Sequence, residues 1–429
     1  MALTGDRTFV GFGFGAIQAG LFLYEAFQSG AFGRLVVAEV MPEVVHAVRR
    51  SGGLFAVNIA HPDRIQAATV GPVAIEDPAV AADRERLIAA VAEAHEIATA
   101  VPSVDHYVTP GPGSLHAILA AGLRRKAASG GPLAVVYTAE NRNRAAETLA
   151  AAVLGAVPAG ERAAVARCVC FVNTVIGKMS GLAGDAPDLA PVTPESRRAF
   201  LVEAFNRILV GKVHFPAGSN PPFDRGLAVF EEKDDLLPFE EAKLYGHNAA
   251  HALAAYLGAA AGASTMAELA QRPGLLAFVR AAALDEAGAA LMQRHAGRDP
   301  IFTPAGFTAY MDDLLVRMTN PFLRDTVARV GRDPERKLGW DDRLIGTMRL
   351  ALEAGLRPQR LAMGAAAALA WVQPADSPAA RRLRAIWGQA ADDASQTAQV
   401  IALVEEGAAR LHRWQAAGCP PLATWYIEP

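Results

Sequence analysis

The stretch Thr8-Phe9-Val10-Gly11-Phe12-Gly13-Phe14-Gly15-Ala16-Ile17-Gln18-Ala19-Gly20 decides the fold of the first half of this 429-residue chain. It opens as an apolar run typical of a buried strand, turns at two glycines and continues with helical character to about Gln28. Glycines let a backbone approach a pyrophosphate, and a helix N-terminus offers free N–H groups to it. Gln18 stands where the third glycine of G-x-G-x-x-G is expected, so this pattern alone is weak. The expected dinucleotide contacts are Gly13, Phe14, Gly15, Ala16 and Ile17.

The next apolar run, Leu35-Val36-Val37-Ala38-Glu39, supplies the discriminating residue. An acid at the end of the second strand accepts hydrogen bonds from a ribose diol and repels a 2′-phosphate. Glu39 therefore favours NAD over NADP, although a strand-end surface charge is the simpler alternative.

Strand-like and helical runs alternate through the rest of the first half. We predict strands over 55–75 and 132–137, a helix over 83–100, and a strand at His106-Tyr107-Val108-Thr109. Arg167-Cys168-Val169-Cys170-Phe171-Val172 is predicted as a further buried strand. The alternation predicts an α/β domain with a doubly wound parallel sheet.

Ligands of such sheets bind beyond the carboxyl ends of the strands. Thr109 and Pro110 lie at one such end, before Ser114, which is a good N-cap for the following helix. Asn141 follows the strand at 132–137 and Asn173 lies in the next one. Thr109, Pro110 and Asn141 are candidate cofactor contacts and Asn173 is a candidate substrate contact. For Asn141 the simpler interpretation is a cap of the helix that follows.

Composition changes near residue 200, and from Leu236 onward the pattern is almost only helical and rich in alanine. A loop rich in Gly, Pro, Ser and Asn is predicted over 216–224. We place one domain at 1–200 and a second, mainly helical domain at 201–429.

Bulk composition excludes several classes of protein. The net charge of −3 argues against a nucleic-acid binder, which usually has a basic excess. Three cysteines cannot build a disulfide framework, which favours a reducing cytoplasm. No signal peptide is recognised at the N-terminus. The alanine-rich stretch 249–263 is interrupted by His251, Tyr256 and glycines, so a buried helix is expected there and no membrane span.

The second half carries a concentrated set of polar side chains in Glu240-Glu241-Ala242-Lys243-Leu244-Tyr245-Gly246-His247-Asn248-Ala249-Ala250-His251. On an α-helix, Asn248 would lie about 140° and His251 about 80° round from Lys243. A lysine, an amide and a histidine on one broad face suit proton transfer at a substrate oxygen. An ordinary amphipathic helix is the simpler alternative. His247 and His251 also have the spacing of a zinc pair, but HExxH is absent and no third ligand is suggested, so no metal is predicted.

Five basic residues fall between Arg324 and Lys337, in a chain that is acidic overall. They suit an anion pocket, for example for a phosphate. A solvated helix face with i,i+4 ion pairs explains them equally well.

Together these motifs resemble the polyol-specific long-chain dehydrogenases, the mannitol dehydrogenase family, over nearly the whole chain. The matching segments in the first half are Gly13-x-Gly15-Ala16-Ile17, Thr109-Pro110-Gly111-Pro112, Glu140-Asn141 and Glu203-Ala204-Phe205-Asn206. Those in the second half are Lys243-x4-Asn248-x2-His251, Asn320-Pro321-Phe322-Leu323-Arg324-Asp325, Arg329-Val330-Gly331-Arg332-x3-Arg336-Lys337-Leu338 and Asp342-Arg343-Leu344-Ile345. The lysine motif followed by the Asn-Pro segment is specific, whereas the glycine turn is not.

The resemblance implies a Rossmann-type domain, a mostly α-helical C-terminal domain, an active site between them and no catalytic metal. It implies Lys243 as general acid–base, Asn141 and Asn248 as ligands of the substrate oxygen, and His251 as a residue that orients a hydroxyl. Arg329 and Lys337 match positions that contact the polyol. A phosphate role for Arg332 or Arg336 follows only from their charge. NAD as cofactor, a polyol or polyol phosphate as substrate, and a monomer or homodimer are expected, with mannitol 1-phosphate and fructose 6-phosphate as the favoured pair.

One departure concerns the substrate. Where the family commonly has Val-Asp-Arg, this chain has Ile176-Gly177-Lys178. The missing carboxylate removes a hydroxyl contact and a partner of the lysine, unless Glu240 or Glu241 covers that role. A dehydrogenase of another polyol, cyclitol or sugar acid, and a non-catalytic NAD-binding protein, therefore remain alternatives.

Overall fold

The computed structural model describes residues 3–205, 207–215, 223–373, 377–391 and 393–426. The chain divides into two compact units, Met1–Leu236 and Leu237–Pro429, which we call unit 1 and unit 2. The composition change near residue 200 falls inside unit 1, within a strand at Ala199–Glu203. Asn206 and positions 216–222 of the predicted loop lie outside the described residues.

Unit 1 alternates strands and helices over most of its length. Its strands are β1 (Arg7–Phe12), β2 (Phe32–Ala38), β3 (Phe55–Ala60), β4 (Ile65–Val70), β5 (Ala74–Glu76), β6 (Glu96–Thr99), β7 (Ala134–Thr138), β8 (Val169–Ile176), β9 (Ser180–Ala183), β10 (Ala199–Glu203), β11 (Ile208–Gly211) and β12 (Phe230–Lys233). Its helices are a π-helical turn at Gln18–Leu23 that continues as α1 (Tyr24–Ser29), then α2 (Pro42–Arg50), α3 (Ala81–Glu93), a 3₁₀ turn at Val104–Tyr107, α4 (Leu115–Ser129), α5 (Ala145–Ala156) and α6 (Arg162–Cys168).

The main sheet has the order β12-β11-β8-β7-β6-β1-β2-β5. From β8 to β5 every neighbouring pair is parallel, and β11 is antiparallel to β8. Both faces are covered, because Phe9 packs in one hydrophobic cluster and Val10 in the other, each with 0% exposure. A four-stranded sheet, β4-β3-β10-β9, stands beside it. The predicted doubly wound sheet is confirmed.

Two element assignments from the sequence were wrong. The predicted strand 106–109 is a 3₁₀ turn followed by a loop, and the strand lies earlier, at β6. The predicted helix 83–100 ends at Glu93, where Ala94 turns to an extended conformation. All four residues of β6 are buried, so tertiary burial overrides the helical preference of its Glu and Ala.

Unit 2 is helical, apart from one isolated bridge between Thr265 and Thr326 among its described residues. Its α-helices are α7 (Leu237–Glu241), α8 (Ala249–Ala260), α9 (Leu275–Ala281), α10 (Ala289–Arg294), α11 (Pro304–Met318), α12 (Val327–Gly331), α13 (Pro334–Lys337), α14 (Ile345–Glu353), α15 (Gln359–Leu369), α16 (Ala379–Trp387), α17 (Ala394–Ala416) and α18 (Leu422–Trp425). π-Helical turns at Ala242–Asn248 and Ala282–Gly288 join α7 to α8 and α9 to α10, and 3₁₀ turns occur at Ala267–Gln271, Pro300–Phe302, Pro321–Leu323 and Gly388–Ala390.

Alanine and glycine let the helices of unit 2 pack closely. Residues 252–258 of α8 are all buried. A Cβ on Gly364 of α15 would lie 2.2 Å from Cδ1 of Leu253, so only glycine fits there. The stretch 249–263 thus provides a buried helix, as predicted. In the part of the chain that the structure describes, no helix is long and apolar enough to cross a membrane.

Candidate active site

The glycine turn after β1 has the geometry that a dinucleotide requires. Gly13 has φ +85°, and a Cβ there would lie 2.7 Å from the carbonyl oxygen of Ala100, so the fold itself requires this glycine. A Cβ on Gly15 would meet nothing within 4 Å, which leaves open space at the turn. The helix begins at Ala16, and its first backbone N–H groups have no partner within the helix. The turn therefore fits a pyrophosphate.

Gln18 explains how the fold tolerates the missing third glycine. Its side chain is fully buried against β1, where a Cβ on Gly11 would lie 2.1 Å from the Gln18 Nε2. Gly11 supplies the space that the third glycine of the pattern normally provides. Among the described residues, the amide of Gln18 has no hydrogen-bond partner.

Glu39 lies at the end of β2, as predicted, and its carboxylate is fixed by backbone donors. It accepts hydrogen bonds from the N–H groups of Phe14 at 3.0 Å, Val40 at 2.7 Å and Met41 at 2.9 Å. These bonds hold the carboxylate beside the glycine turn, where a ribose diol would meet it. A cavity of about 550 Å³ adjoins Gly15, Glu39 and Met41. Val40, 75% exposed, gives this edge an apolar surface.

The Thr109–Ser114 corner is held by a serine hydroxyl. Ser114 occupies the N-cap position of α4, but its side chain makes no capping bond. It accepts from the Thr109 N–H at 3.0 Å and contacts His116 Nδ1 at 2.7 Å. Thr109 and Pro110 remain exposed. Ser114 is thus the N-cap residue, as predicted, but its hydroxyl shapes the corner and makes no bond to the first turn of the helix.

Two asparagines follow neighbouring strands but differ in their surroundings. Asn141 is exposed and follows β7, while α5 begins only at Ala145, so the helix-cap interpretation of Asn141 is wrong. Asn173, on β8, accepts from the Ala146 N–H at 2.9 Å and donates to Glu147 Oε2 at 2.8 Å. The amide that secures the first turn of α5 is thus that of Asn173.

In unit 2, Lys243 and Asn248 lie in the π-helical turn Ala242–Asn248 and His251 lies in α8. A π-turn bonds residue i to residue i+5, so Lys243 and Asn248 stand one turn apart. The angles expected for a regular α-helix therefore do not hold here, but the helix is continuous through all three residues. Asn248 is half-buried, and no described residue hydrogen-bonds its side chain.

Lys243 has the electrostatic environment of a proton-transfer group. Burial, together with the positive charge of Arg343 and against the opposing effect of Glu240, lowers the pKa of its amine from 10.5 to about 8. A lysine that accepts a proton at neutral pH needs a pKa of about 7–8. The cation that contributes to the shift is Arg343, which lies in one of the segments that match the family but had no predicted role.

His251 offers a neutral imidazole. Burial lowers its pKa to about 4, although Asp325 opposes that shift. Its Nε2 lies 3.9 Å from Asp325 Oδ2 and, among the described residues, has no hydrogen-bond partner. His247 is more deeply buried, 6.3 Å from the His251 ring, and burial lowers its pKa well below 6.5. The described residues contain no group of three or more His, Cys, Asp or Glu suited to a metal ion.

The basic segment is two short helices, α12 and α13. Arg329 is paired with Asp325 through two bonds of 2.6 Å. Arg336 lies 3.8 Å from Asp333. Lys337 is buried and donates to the Arg332 carbonyl, and burial with the charge of Arg343 lowers its pKa to about 8. The solvated-face alternative thus explains the exposed Arg336, whereas Arg329 pairs with a carboxylate that is itself buried. Arg332 is exposed and has no carboxylate partner among the described residues.

The position where the family's aspartate is missing has room for a side chain. Among the described residues, a Cβ on Gly177 would have one neighbour within 4 Å, Phe205 Cε1 at 3.7 Å. The neighbouring Lys178 is buried and donates to the Phe205 carbonyl at 3.1 Å. The fold itself therefore does not require a glycine here.

Known proteins give a consistent match to both units. The profile of the mannitol dehydrogenase Rossmann domain matches residues 7–218, and that of the mannitol dehydrogenase C-terminal domain matches residues 235–409. Pseudomonas fluorescens mannitol 2-dehydrogenase, in ternary complex with NAD and D-mannitol, has a similar structure, with a TM-score of 0.71 and 17% identity over 97% of this chain and 94% of that one. D-sorbitol dehydrogenase in substrate-free form is similar with a TM-score of 0.74 and 14% identity over 97% and 95%. At such identities the two structures establish a shared fold.

Proposed function

Because the chain belongs to the mannitol dehydrogenase family of NAD-dependent polyol dehydrogenases, we propose that it transfers a hydride between NAD(H) and a polyol or polyol phosphate. The motifs of the sequence also resemble those of mannitol-1-phosphate 5-dehydrogenase, so mannitol 1-phosphate and fructose 6-phosphate are the proposed pair. The observation that carries the proposal is Lys243, whose pKa of about 8 suits proton exchange near neutral pH, beside an amide and a neutral histidine on one helix.

NAD supplies the hydride acceptor when it is bound. The turn Gly13–Ile17 would hold its pyrophosphate and Glu39 its ribose, with Thr109, Pro110 and Asn141 on the nicotinamide side. This assignment is supported by the open space at Gly15 and by the fixed carboxylate of Glu39.

In the oxidative direction, Lys243 Nζ accepts the proton of the substrate hydroxyl. The amides of Asn141 and Asn248 donate to the oxygen as it gains negative charge, and one such donor contributes about 2.7–4 kcal/mol. His251 Nε2 hydrogen-bonds a neighbouring hydroxyl and fixes the orientation of the chain. Oxidation requires a neutral lysine and reduction a protonated one. With a pKa of about 8, oxidation is expected to rise with pH through that value and reduction to fall.

For the anionic end of the substrate we propose Arg332 and Arg336, with Arg329 and Lys337 on the polyol. The exposed guanidinium of Arg332 supports this assignment, since arginine binds phosphate through paired N–H groups. Arg329 already shares its guanidinium with Asp325, so its contact would use the remaining N–H groups.

The decisive experiment follows NADH absorbance with fructose 6-phosphate beside unphosphorylated fructose, with NADPH as the cofactor control. Oxidation of NADH by the phosphate ester alone is expected. Equal rates with fructose would contradict the phosphate assignment, and bound NADH without turnover would favour a non-catalytic NAD-binding protein.

A different substrate of the same chemistry is a second candidate, and the space at Gly177 favours it. The proposal is supported by the space at position 177, where a Cβ would have one neighbour among the described residues, so a substrate group can take the place of the family's carboxylate. A panel of hexitols, pentitols, cyclitols and aldonates separates this candidate from the polyol phosphate.

A further inference from the structure

We infer that Arg343 is a positioning residue for proton transfer: its buried side chain belongs to a segment that packs on the π-helical turn carrying Lys243, and its positive charge favours the neutral amine of that lysine. The inference rests on the proposed role of Lys243. It concerns how the lysine is tuned and assigns Arg343 no contact with substrate.

The guanidinium of Arg343 is fixed by its neighbour in sequence. Arg343 is only 9% exposed, and its Nε donates to Asp342 Oδ1 at 2.7 Å. The backbone N–H of Arg343 donates to the same oxygen at 2.6 Å. The Asp342 carboxylate thus accepts from the Nε of Arg343. In the described part of the chain, no carboxylate pairs with the two terminal nitrogens of the Arg343 guanidinium.

Three contacts attach the segment 341–347 to the π-helical turn. Thr347, fully buried, donates through Oγ1 to the Arg343 carbonyl at 2.6 Å and lies 3.3 Å from the carbonyl of Tyr245. The Tyr245 hydroxyl donates to the Asp341 carbonyl at 3.3 Å. A Cβ on Gly346 would lie 2.8 Å from the Tyr245 ring, so the segment lies directly on that side chain. Tyr245 lies in the same turn as Lys243, and Thr347 contacts the carbonyls of both Tyr245 and Arg343, so the backbone of Arg343 is held close to that turn.

Arg343 is the cation that recurs around the polar groups of unit 2. Burial and Arg343 both lower the pKa of Lys243, whereas Glu240 raises it. The charge of Arg343 also lowers the pKa of Lys337, as do Arg336 and Arg332, while Asp333 raises it. The pKa of His251 is lowered by Arg343, Arg329 and Lys337 and raised by Asp325. A fixed like charge disfavours a second positive charge nearby, so Arg343 favours the neutral amine.

The test compares R343Q with R343K and with a control on the same segment, R349Q. Arg349 bonds Asp341 at 2.5 Å and stacks on Trp340, so its loss loosens the segment without removing the inferred charge. Two readouts are taken from each variant: the pH profile of NAD reduction by the polyol substrate, and the titration of Lys243 by NMR after reductive ¹³C-methylation. The chain has six lysines, so K243R assigns the resonance.

R343Q is expected to shift both the rising limb of oxidation and the NMR titration of Lys243 upward by about one pH unit. R343K is expected to restore them, and R349Q to leave them unchanged. An unshifted titration in R343Q, or an equal shift in R349Q, overturns the inference.

D342N provides a test of opposite sign that does not depend on the folding of R343Q. It removes the negative charge that offsets Arg343 but keeps an oxygen for Nε, so the Lys243 titration is expected to move downward. An upward or absent shift contradicts the inference. If no polyol is turned over, the proposed function fails, yet the NMR titration still decides the role of Arg343.

Discussion

The glycine turn of unit 1 and the lysine helix of unit 2 position their polar groups by different means. At the turn, backbone conformation sets the positions of the polar groups. Gly13 adopts φ +85°, Gly15 leaves space, and backbone N–H groups hold the Glu39 carboxylate. On the helix, side chains in a buried environment carry the chemistry, with Lys243 at a pKa of about 8 and His251 at about 4.

This difference shows which functional properties a sequence displays directly. Turn geometry is local, so residue types at fixed spacing indicate it. A pKa depends on burial and on charges distant in sequence, such as Arg343 for Lys243. Substitutions at the glycine turn and on the lysine helix should therefore impair the protein in different ways.

Lys243→Met should have the largest effect on activity. It removes the proposed acid–base, which typically contributes 10²–10⁴-fold to the rate, while NADH binding persists. The fold should become more stable at pH 7 by about 1–3 kcal/mol, because charging this lysine in the folded state is unfavourable. The folded pKa of about 8 lies below the unfolded 10.5, so the wild-type protein should gain stability as pH rises through that window and the variant should not.

Steady-state turnover, NADH titration and thermal unfolding at pH 7 and 9.5 measure these effects. Lys212→Met is the matched control, since Lys212 is exposed and paired with Asp234. Retained turnover in Lys243→Met would contradict the mechanism.

Gly15→Val should weaken NADH binding at least tenfold without lowering the melting temperature. A Cβ at this position has no neighbour within 4 Å among the described residues, and a valine fills part of the space proposed for the pyrophosphate. Gly13→Ala should instead destabilise unit 1 by about 1–3 kcal/mol, because φ +85° disfavours a side chain and the Ala100 carbonyl is 2.7 Å away. Fluorescence titration of NADH and differential scanning calorimetry separate the two. If Gly15→Val and the wild-type protein bound NADH equally well, the pyrophosphate would not bind at this turn.

Gly177→Asp tests the departure from the family pattern. The variant should fold normally, because a Cβ there has a single neighbour among the described residues, at 3.7 Å. It should lower KM several-fold for unphosphorylated hexitols by restoring a hydroxyl acceptor, with Gly177→Ala as the size control. A substrate panel measured on the three proteins gives the result. If aspartate and alanine behave alike, the carboxylate is irrelevant to substrate choice.

Asn173→Ala should have the smallest effect, and on stability rather than on KM. The amide secures the first turn of α5 through Ala146 and Glu147, and such contacts contribute about 1 kcal/mol. Urea unfolding should therefore show a lower midpoint while KM stays constant. A raised KM at unchanged stability would support Asn173 as a substrate residue after all.

Much of the fold was accessible from sequence because its signals are local. The β1 turn, the strands at 55–75 and 132–137 and the helical second half all have clear periodicity or turn chemistry. The four-residue strand β6 was not recognised, because its Glu and Ala favour a helix and only burial makes it a strand. In the candidate site, the residue types alone indicated Lys243, Asn248 and His251. No spacing rule predicts the π-helical turn or the effect of Arg343 on the pKa of Lys243.

The π-helical turn at Ala242–Asn248 also has a genetic consequence. A π-turn holds one residue more than an α-helical turn of the same span, so it is equivalent to a one-codon insertion in an ancestral helix. Deleting one codon between Lys243 and Asn248 would return this turn to regular α-helical bonding, so the flanking helices α7 and α8 would keep their orientation and their packing. Within the turn, Lys243 and Asn248 would become four residues apart, and their side chains would take a new relative direction. A single in-frame deletion would thus disrupt the proposed chemistry while sparing the fold, and the reverse insertion is a short evolutionary route to it.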